Sequence, residues 1–276
     1  MMRFLAMLLA LLTLCSCMPA FAEDESDEPI WDFAVPISAV MSEYVKLVNR
    51  EVLLDEEYVP EDLVYVDQRQ LATSAKVMLR QECYDALQRM MEAAQLEGIN
   101  LYVRSGYRSY GTQKRNYDGR LERMNGVDDG FVAPPGASEH QTGLACDLTD
   151  DEYRWQSKLQ QEFQNTAAAN WLKQYAGSYG FIYRYMPDKE EITQTSFEPW
   201  HYRYVGTTVA QYIMRMKISL EEFTDEWNFA LAQYQGAGGD VERALQEELD
   251  RLNKGPEVTY LEDEGENGET EVSIIF

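Results

Sequence analysis

Histidine is nearly missing from this chain. Only two occur in 276 residues: His140 in "SEHQTGLACDL" (138–148) and His201 in "EPWHYRYVG" (198–206). Basic residues are also scarce, with 24 Lys and Arg against 48 Asp and Glu, a formal net charge of −24. That balance excludes a nucleic-acid binder, which needs a basic footprint. It offers no cationic face to anionic lipid either, and suits solubility. The longest apolar run, Phe4 to Leu14, falls short of the ~20 residues of a membrane span. No serine is followed by lysine three residues on, so the S-x-x-K pattern of serine acyl-enzymes is absent. No G-x-S-x-G, P-loop or dinucleotide fingerprint occurs. What remains is ample material for a core: 45% apolar residues and 12% aromatics.

The N-terminus has the pattern of an export signal. Arg3 precedes the apolar run, and "AFA" at 20–22 fits a small-x-small cleavage site. Residues 1–22 therefore read as a signal peptide and 23–37 as an acidic leader. The product is expected outside the cell, in the cell-wall space. Cys17 after Ser16 loosely matches a lipid-attachment site, so a membrane partner is expected only if the signal is uncleaved or Cys17 is lipidated. Cys83 and Cys146 are the two cysteines left after cleavage. They could pair in an oxidising compartment or remain buried thiols, and their spacing decides nothing.

Periodicity predicts a helix from Val77 to Leu96, with Leu79, Cys83, Leu87, Met90 and Ala94 on one face and Gly98 as its stop. "INLYVRS" predicts a strand ending at Ser105, followed by a loop and a polar helix. "GLACDL" alternates as a strand, with Leu144, Cys146 and Leu148 on one face and Ala145 and Asp147 on the other. "NTAAANWLKQYAGSYG" predicts a helix, and "FIYRY" and "EPWHYRYVG" predict two more strands. Helices and strands without regular βαβ alternation indicate an α+β fold. After about residue 217 the character changes. "SLEEFTDEWNFALAQY" opens with a Ser219/Glu222 capping box, "DVERALQEELDRLNKG" is a second helix, and "VTYLEDEGENGETEVSIIF" predicts a hairpin turning at Asn267-Gly268.

Both histidines lie near carboxylates, Asp147 and Glu198. Zinc favours imidazole and carboxylate donors, and a catalytic zinc site uses three protein ligands with one position open. His140, Asp147 and His201 make such a set. Cys146 points to the apolar side of its strand and is rejected as a ligand. Glu198 lies three residues before His201, a spacing that puts the two side chains on opposite faces of a straight strand; a bend at Pro199 would bring them together. Each residue alone has an ordinary structural reading, and the residues by themselves do not name a substrate.

The motif "SEHQTGLACD" resembles the S-x-H-x(6)-D signature of the VanY-type zinc D-alanyl-D-alanine carboxypeptidases, peptidase family M15 (M15B). "EPWHYRYVG" resembles that family's E-x-W-H segment, and "SGYRSYGTQ" its S-x-Y-R-S-x-x-x-Q segment. The similarity runs over roughly residues 40–222, and three linked motifs make it specific. It implies a small antiparallel sheet flanked by helices, the Hedgehog/D,D-peptidase-like zinc fold. It implies one zinc per chain on His140, Asp147 and His201, with Glu198 as general base and then acid. Ser138, Arg108 and Gln113 would hold the terminal carboxylate and carbonyl of the substrate. Met186 replaces a proline expected of the family, and Gln194-Thr195 stand where a glycine is expected; both lie on the approach to Glu198.

The resulting expectation is a carboxypeptidase domain over 38–222 and a mainly helical acidic C-terminal extension over 223–276. The expected activity removes the C-terminal D-alanine from peptidoglycan stem pentapeptides or precursors. The alternatives are an L,D-carboxypeptidase acting on tetrapeptide stems and a non-catalytic wall-binding module. The sequence leaves the oligomeric state open.

Overall fold

The computed structural model describes residues 29–254, 259–264 and 270–275. The expected signal peptide, Cys17 and residues 23–28 of the leader lie outside the described residues. So does the Asn267-Gly268 turn.

Eight helices and eight strands follow one another along the described chain: α1 (Ile37–Val40), β1 (Leu63–Tyr65), β2 (Met78–Arg80), α2 (Gln81–Leu96), β3 (Tyr102–Ser105), α3 (Tyr110–Arg123), β4 (Ala145–Thr149), α4 (Ala167–Tyr175), β5 (Phe181–Tyr185), α5 (Glu190–Thr193), β6 (Glu198–Tyr204), α6 (Thr207–Met216), α7 (Leu220–Gly236), α8 (Val241–Lys254), β7 (Thr259–Glu264) and β8 (Thr270–Ile275). The central sheet has four antiparallel strands in the order β3-β4-β6-β5. The α+β architecture expected from the sequence, a small antiparallel sheet flanked by helices, is the one observed.

The sheet keeps apolar and charged side chains on different faces. Cys146 and Leu148 of β4, Tyr202 and Tyr204 of β6, Phe181 and Tyr183 of β5 and Val103 of β3 join the main core, which α2 and α4 cover. Strand alternation puts Asp147, His201, Arg203 and Arg184 on the other face. These four are also buried, each paired with a charged partner. Cys83 and Cys146 are free, buried thiols on the apolar side.

The helix expected from Val77 begins later. Met78–Arg80 instead form β2 against β1, in the register Leu63↔Arg80 and Tyr65↔Met78. The stripe from Leu79 through Cys83, Leu87, Met90 to Ala94 is buried throughout, so the face was correctly identified. A single apolar residue, Leu79, fits helical and strand spacing equally, and the pairing that decides between them comes from a distant segment. The antiparallel β7 and β8 pair from Thr259↔Ile275 to Glu264↔Thr270.

A second core joins the N-terminal segment to the region past residue 207. Val35, Ile37, Val40, Val209, Ile213, Leu220 and Phe223 are its buried members, with Trp31 and Phe33 packed against it. Helix α7 carries the capping box: the Ser219 hydroxyl accepts from the Glu222 amide, and the Glu222 carboxylate accepts from the Ser219 amide at 2.7 Å. This helix crosses the division expected at 222, and Phe223 has no exposure. Truncating a fully buried aromatic costs about 3–5 kcal/mol through lost transfer energy and the cavity left behind. Phe223→Ala is expected to lower the stability of the whole chain by that amount in urea unfolding. An unchanged midpoint would mean that α7 is dispensable to the core.

Candidate active site

Two adjacent strands and one turn build the site. Asp147 and His201 are direct cross-strand partners in the β4–β6 register. His140 comes from the 3₁₀ turn Glu139–Thr142, which ends at Gly143 in the left-handed region (φ 70°). Glycine is needed there twice over. The conformation disfavours a side chain, and a Cβ would sit 2.9 Å from a Leu63 methyl.

The three side chains converge. His140 Nε2 lies 3.4 Å from Asp147 Oδ1, and His201 Nδ1 lies 3.2 Å from the same oxygen. Ligands held about 2.0–2.2 Å from a tetrahedral zinc are separated by roughly 3.3–3.5 Å. The observed spacings are of that size. Among the described residues this is the one group of three or more His, Cys, Asp or Glu whose donor atoms cluster, within 4.8 Å of one another, and all three are buried. Each imidazole is anchored through its other nitrogen. His140 Nδ1 donates to the Gly106 carbonyl at 2.7 Å, which aims Nε2 at the cluster. His201 Nε2 faces Glu139 Oε2 at 3.3 Å, which aims Nδ1 the same way. Carboxylate or carbonyl support behind an imidazole is the usual arrangement behind a metal ligand. The donor set and its backing fit zinc.

Burial and mutual charge pairing set the electrostatics of the cluster. Burial works against Asp147, yet His140 and His201 hold its carboxyl well below the usual carboxylate range. Burial also opposes charge on His201, but hydrogen bonds to Asp147 and Glu139 raise it to about 9. Burial and the Arg108 charge lower His140.

Glu198 lies beside this cluster, its Oε2 3.7 Å from His201 Nδ1. A straight strand would have put it on the other face. Between the pairs Tyr183↔Tyr202 and Tyr185↔Glu198, β5 advances two residues and β6 advances four. This wide bulge at Pro199–His201 turns both side chains to one side. Burial pushes the Glu198 carboxyl up to about 8, with His201 and Arg108 pulling against it and Asp147 adding to it.

A cavity of about 720 Å³ opens over the cluster, lined by His140, Asp147, His201 and Glu198 and also by Arg108, Gln113 and Ser138. Arg108 Nη1 donates to Gln113 Oε1 at 2.7 Å, and Gln113 Nε2 donates to the Ala133 carbonyl at 2.6 Å. All seven residues singled out from the sequence therefore line one cavity. Gln194, at a position expected to be glycine, adopts φ 53°. Its strained backbone is pinned by Arg50 Nε on its carbonyl and by its own amide on Glu51.

Sequence reasoning missed the residues behind the site. Glu139 is buried, and its Oε1 accepts from Arg184 Nε at 2.7 Å and from Arg203 Nη1 at 3.0 Å. Arg184 then forks onto Glu221 of α7 at 2.6 and 2.8 Å. Arg203 also donates to the carbonyls of Tyr44 and Lys46. The available signal was an arginine in the middle of each apolar strand, in the repeated "YRY" of 183–185 and 202–204. Tyr185, whose ring centre is 4.7 Å from that of His201, had no such signal.

The VanY family model, described as D-alanyl-D-alanine carboxypeptidase, matches residues 76–207. The putative carboxypeptidase YodJ of Bacillus subtilis is 40% identical over 185 residues, covering 65% of this chain and 66% of its own length. The bifunctional D-Ala-D-Ala dipeptidase and carboxypeptidase VanXYC of Enterococcus gallinarum is 36% identical over 183 residues, 66% of this chain and 93% of that protein. Among solved structures, the LdcB LD-carboxypeptidase superposes with a TM-score of 0.61 at 40% identity, over 65% of this chain and 84% of that one. A VanY D,D-pentapeptidase in complex with Zn(II) superposes with a TM-score of 0.53 at 32% identity, over 66% and 98%. With VanXYC matched over nearly its whole length, the chain belongs to the VanY family of D-alanyl-D-alanine carboxypeptidases.

Proposed function

We propose that this chain is an exported zinc carboxypeptidase that removes the C-terminal D-alanine from peptidoglycan stem pentapeptides. The observation that carries the reading is the triangle of His140, Asp147 and His201 with Glu198 beside it on the wall of a cavity that also holds Arg108. His140, Asp147 and His201 would hold one zinc per chain. Zinc, when bound, supplies a Lewis acid that polarises a carbonyl and acidifies water. Glu198 takes the proton from the attacking water and returns it to the leaving amine, a shuttle that a carboxyl titrating near neutrality performs well. Arg108 offers paired donors to the terminal carboxylate of the substrate, with Gln113 holding the guanidinium in place. Ser138 offers its hydroxyl to the substrate's terminal groups. A carboxylate anchor selects a chain end over a chain middle, as an exopeptidase requires. Glu139 acts through His201, fixing the ring that presents Nδ1.

A second reading has support from the LdcB likeness: removal of the last residue of a tetrapeptide stem. Both activities need the same anchor and the same proton shuttle. Export rests on the pattern of residues 1–22; no helix among the described residues is long and apolar enough to cross a membrane.

Incubation of a synthetic pentapeptide stem ending in D-Ala-D-Ala is expected to release one alanine by mass spectrometry, and a chelator should abolish the release. Cleavage that persists in the chelator, or an untouched pentapeptide beside a trimmed tetrapeptide, would replace the first reading. Glu198→Gln is expected to keep its zinc and lose turnover by about 10²–10⁴-fold; normal turnover would remove Glu198 from the proton path. Glu139→Gln is expected to weaken zinc about 10–100-fold, read by competition with a coloured chelator on protein whose fold is checked by circular dichroism. Unchanged affinity in the folded variant would show that His201 needs no such support.

A further inference from the structure

The cavity is charged against the grain of the chain. Acids outnumber bases two to one overall. Among the residues lining the cavity the only carboxylates are Asp147 and Glu198, both already assigned to the metal cluster. The remaining charged lining residues are all cations: Arg108, Arg120, Arg123 and Lys158. Arg108 is committed to the substrate terminus. Arg120 is paired with Asp129 and stacks over the Phe131 ring at 5.0 Å. Arg123 and Lys158 are exposed and have no ion-pair partner among the described residues. Two unpaired cations concentrated at the mouth of one cavity of an acidic protein attract an anion.

Their position along the cavity can be gauged from α3. Gln113, Arg120 and Arg123 recur at i, i+7 and i+10, which places them within one side of the helix. At 1.5 Å rise per residue, Arg120 and Arg123 lie about 10 and 15 Å from the Gln113 end. An extended peptide advances about 3.3 Å per residue. A substrate whose terminus is held by Arg108 beside Gln113 therefore reaches Arg120 about three residue lengths upstream and Arg123 about four to five. The volume of about 720 Å³ is in the range that accommodates a ligand of that size.

We propose that Arg123 and Lys158 form a second carboxylate subsite, which reads an acidic group about four residue lengths before the substrate's C-terminus. This rests on the carboxypeptidase reading above and adds a substrate class to it: anionic stem peptides over neutralised ones. In a stem peptide the γ-linked D-glutamate at the second position keeps a free α-carboxylate three residues before the fifth, and the two extra main-chain bonds of the γ-linkage carry it to about four residue lengths. Amidation of that carboxylate removes the charge and leaves the terminus intact.

Binding separates this subsite from turnover. Zinc-loaded Glu198→Gln protein is titrated calorimetrically at low salt with L-Ala-γ-D-Glu-L-Lys-D-Ala-D-Ala and with its D-isoglutamine counterpart. The acid is expected to bind about fivefold more tightly, the scale of two exposed ion pairs, and the gap should close as salt is raised. Adding Arg123→Ala and Lys158→Ala should abolish the gap and leave the amidated peptide's affinity unchanged. Equal affinity for the two peptides, or a double variant that weakens both alike, overturns the subsite. Alanine release by the chain with Glu198 intact is followed separately. No measurable binding of either pentapeptide also overturns the subsite, whether or not the pentapeptide is trimmed.

Discussion

A carboxylate shut away from water sets the terms for this fold. Glu139 is buried beside two guanidinium groups that are also buried, and burial of any one of these charges alone would cost several kcal/mol. Together they hold burial's opposing push in check and keep the Glu139 carboxyl well below its ordinary range, with Arg184 and Arg203 the principal cause. The pairing fixes geometry as well as charge. It ties the 3₁₀ turn to β5 through Arg184 and to β6 through Arg203. It extends to α7 through Glu221 and to the N-terminal segment through the Tyr44 and Lys46 carbonyls. His140 is the next residue in that turn, and His201 leans on the same carboxylate. His140 and His201 are therefore held by a network that joins the turn to β5, β6, α7 and the N-terminal segment.

Chemistry and stability divide along the two faces of one sheet. The apolar face carries Cys146, Leu148, Phe181 and the tyrosines that pack against α2 and α4. The opposite face carries the donors and their arginine supports. Strand alternation alone produces this division, and it explains why Cys146, the softest possible donor near the site, is unavailable: it points into the core while its neighbour Asp147 points at the metal cluster. The β6 bulge makes one local exception and brings Glu198 round to the reactive side.

The cluster of His140, Asp147 and His201 was visible in the sequence because histidine is so rare here. Two histidines, each near a carboxylate, left few other arrangements, and alternation within "GLACDL" assigned Asp147 and Cys146 to their faces. Strands β3 to β6 were legible for the same reason: their patterns are local. What was hidden depends on contacts between distant segments. The β2 strand looked like the first turn of α2 because Leu79 satisfies both periods until β1 is paired with it. The shared side of Glu198 and His201 depends on a register shift relative to β5. Glu139 stands inside the most informative motif and still gave no sign of its role, since any exposed glutamate would look the same. Only the arginines in the two "YRY" segments hinted that a buried acid must exist somewhere.

The claim on which the account turns is that His140, Asp147 and His201 hold a single zinc. X-ray absorption spectroscopy of the purified chain loaded with one equivalent of zinc addresses it directly. The account predicts a first shell of nitrogen and oxygen at about 2.0–2.2 Å, with scattering from two imidazoles and no sulfur. A sulfur shell near 2.3 Å would place the metal on Cys146 or Cys83 and contradict the site described here, as would a shell without two imidazoles.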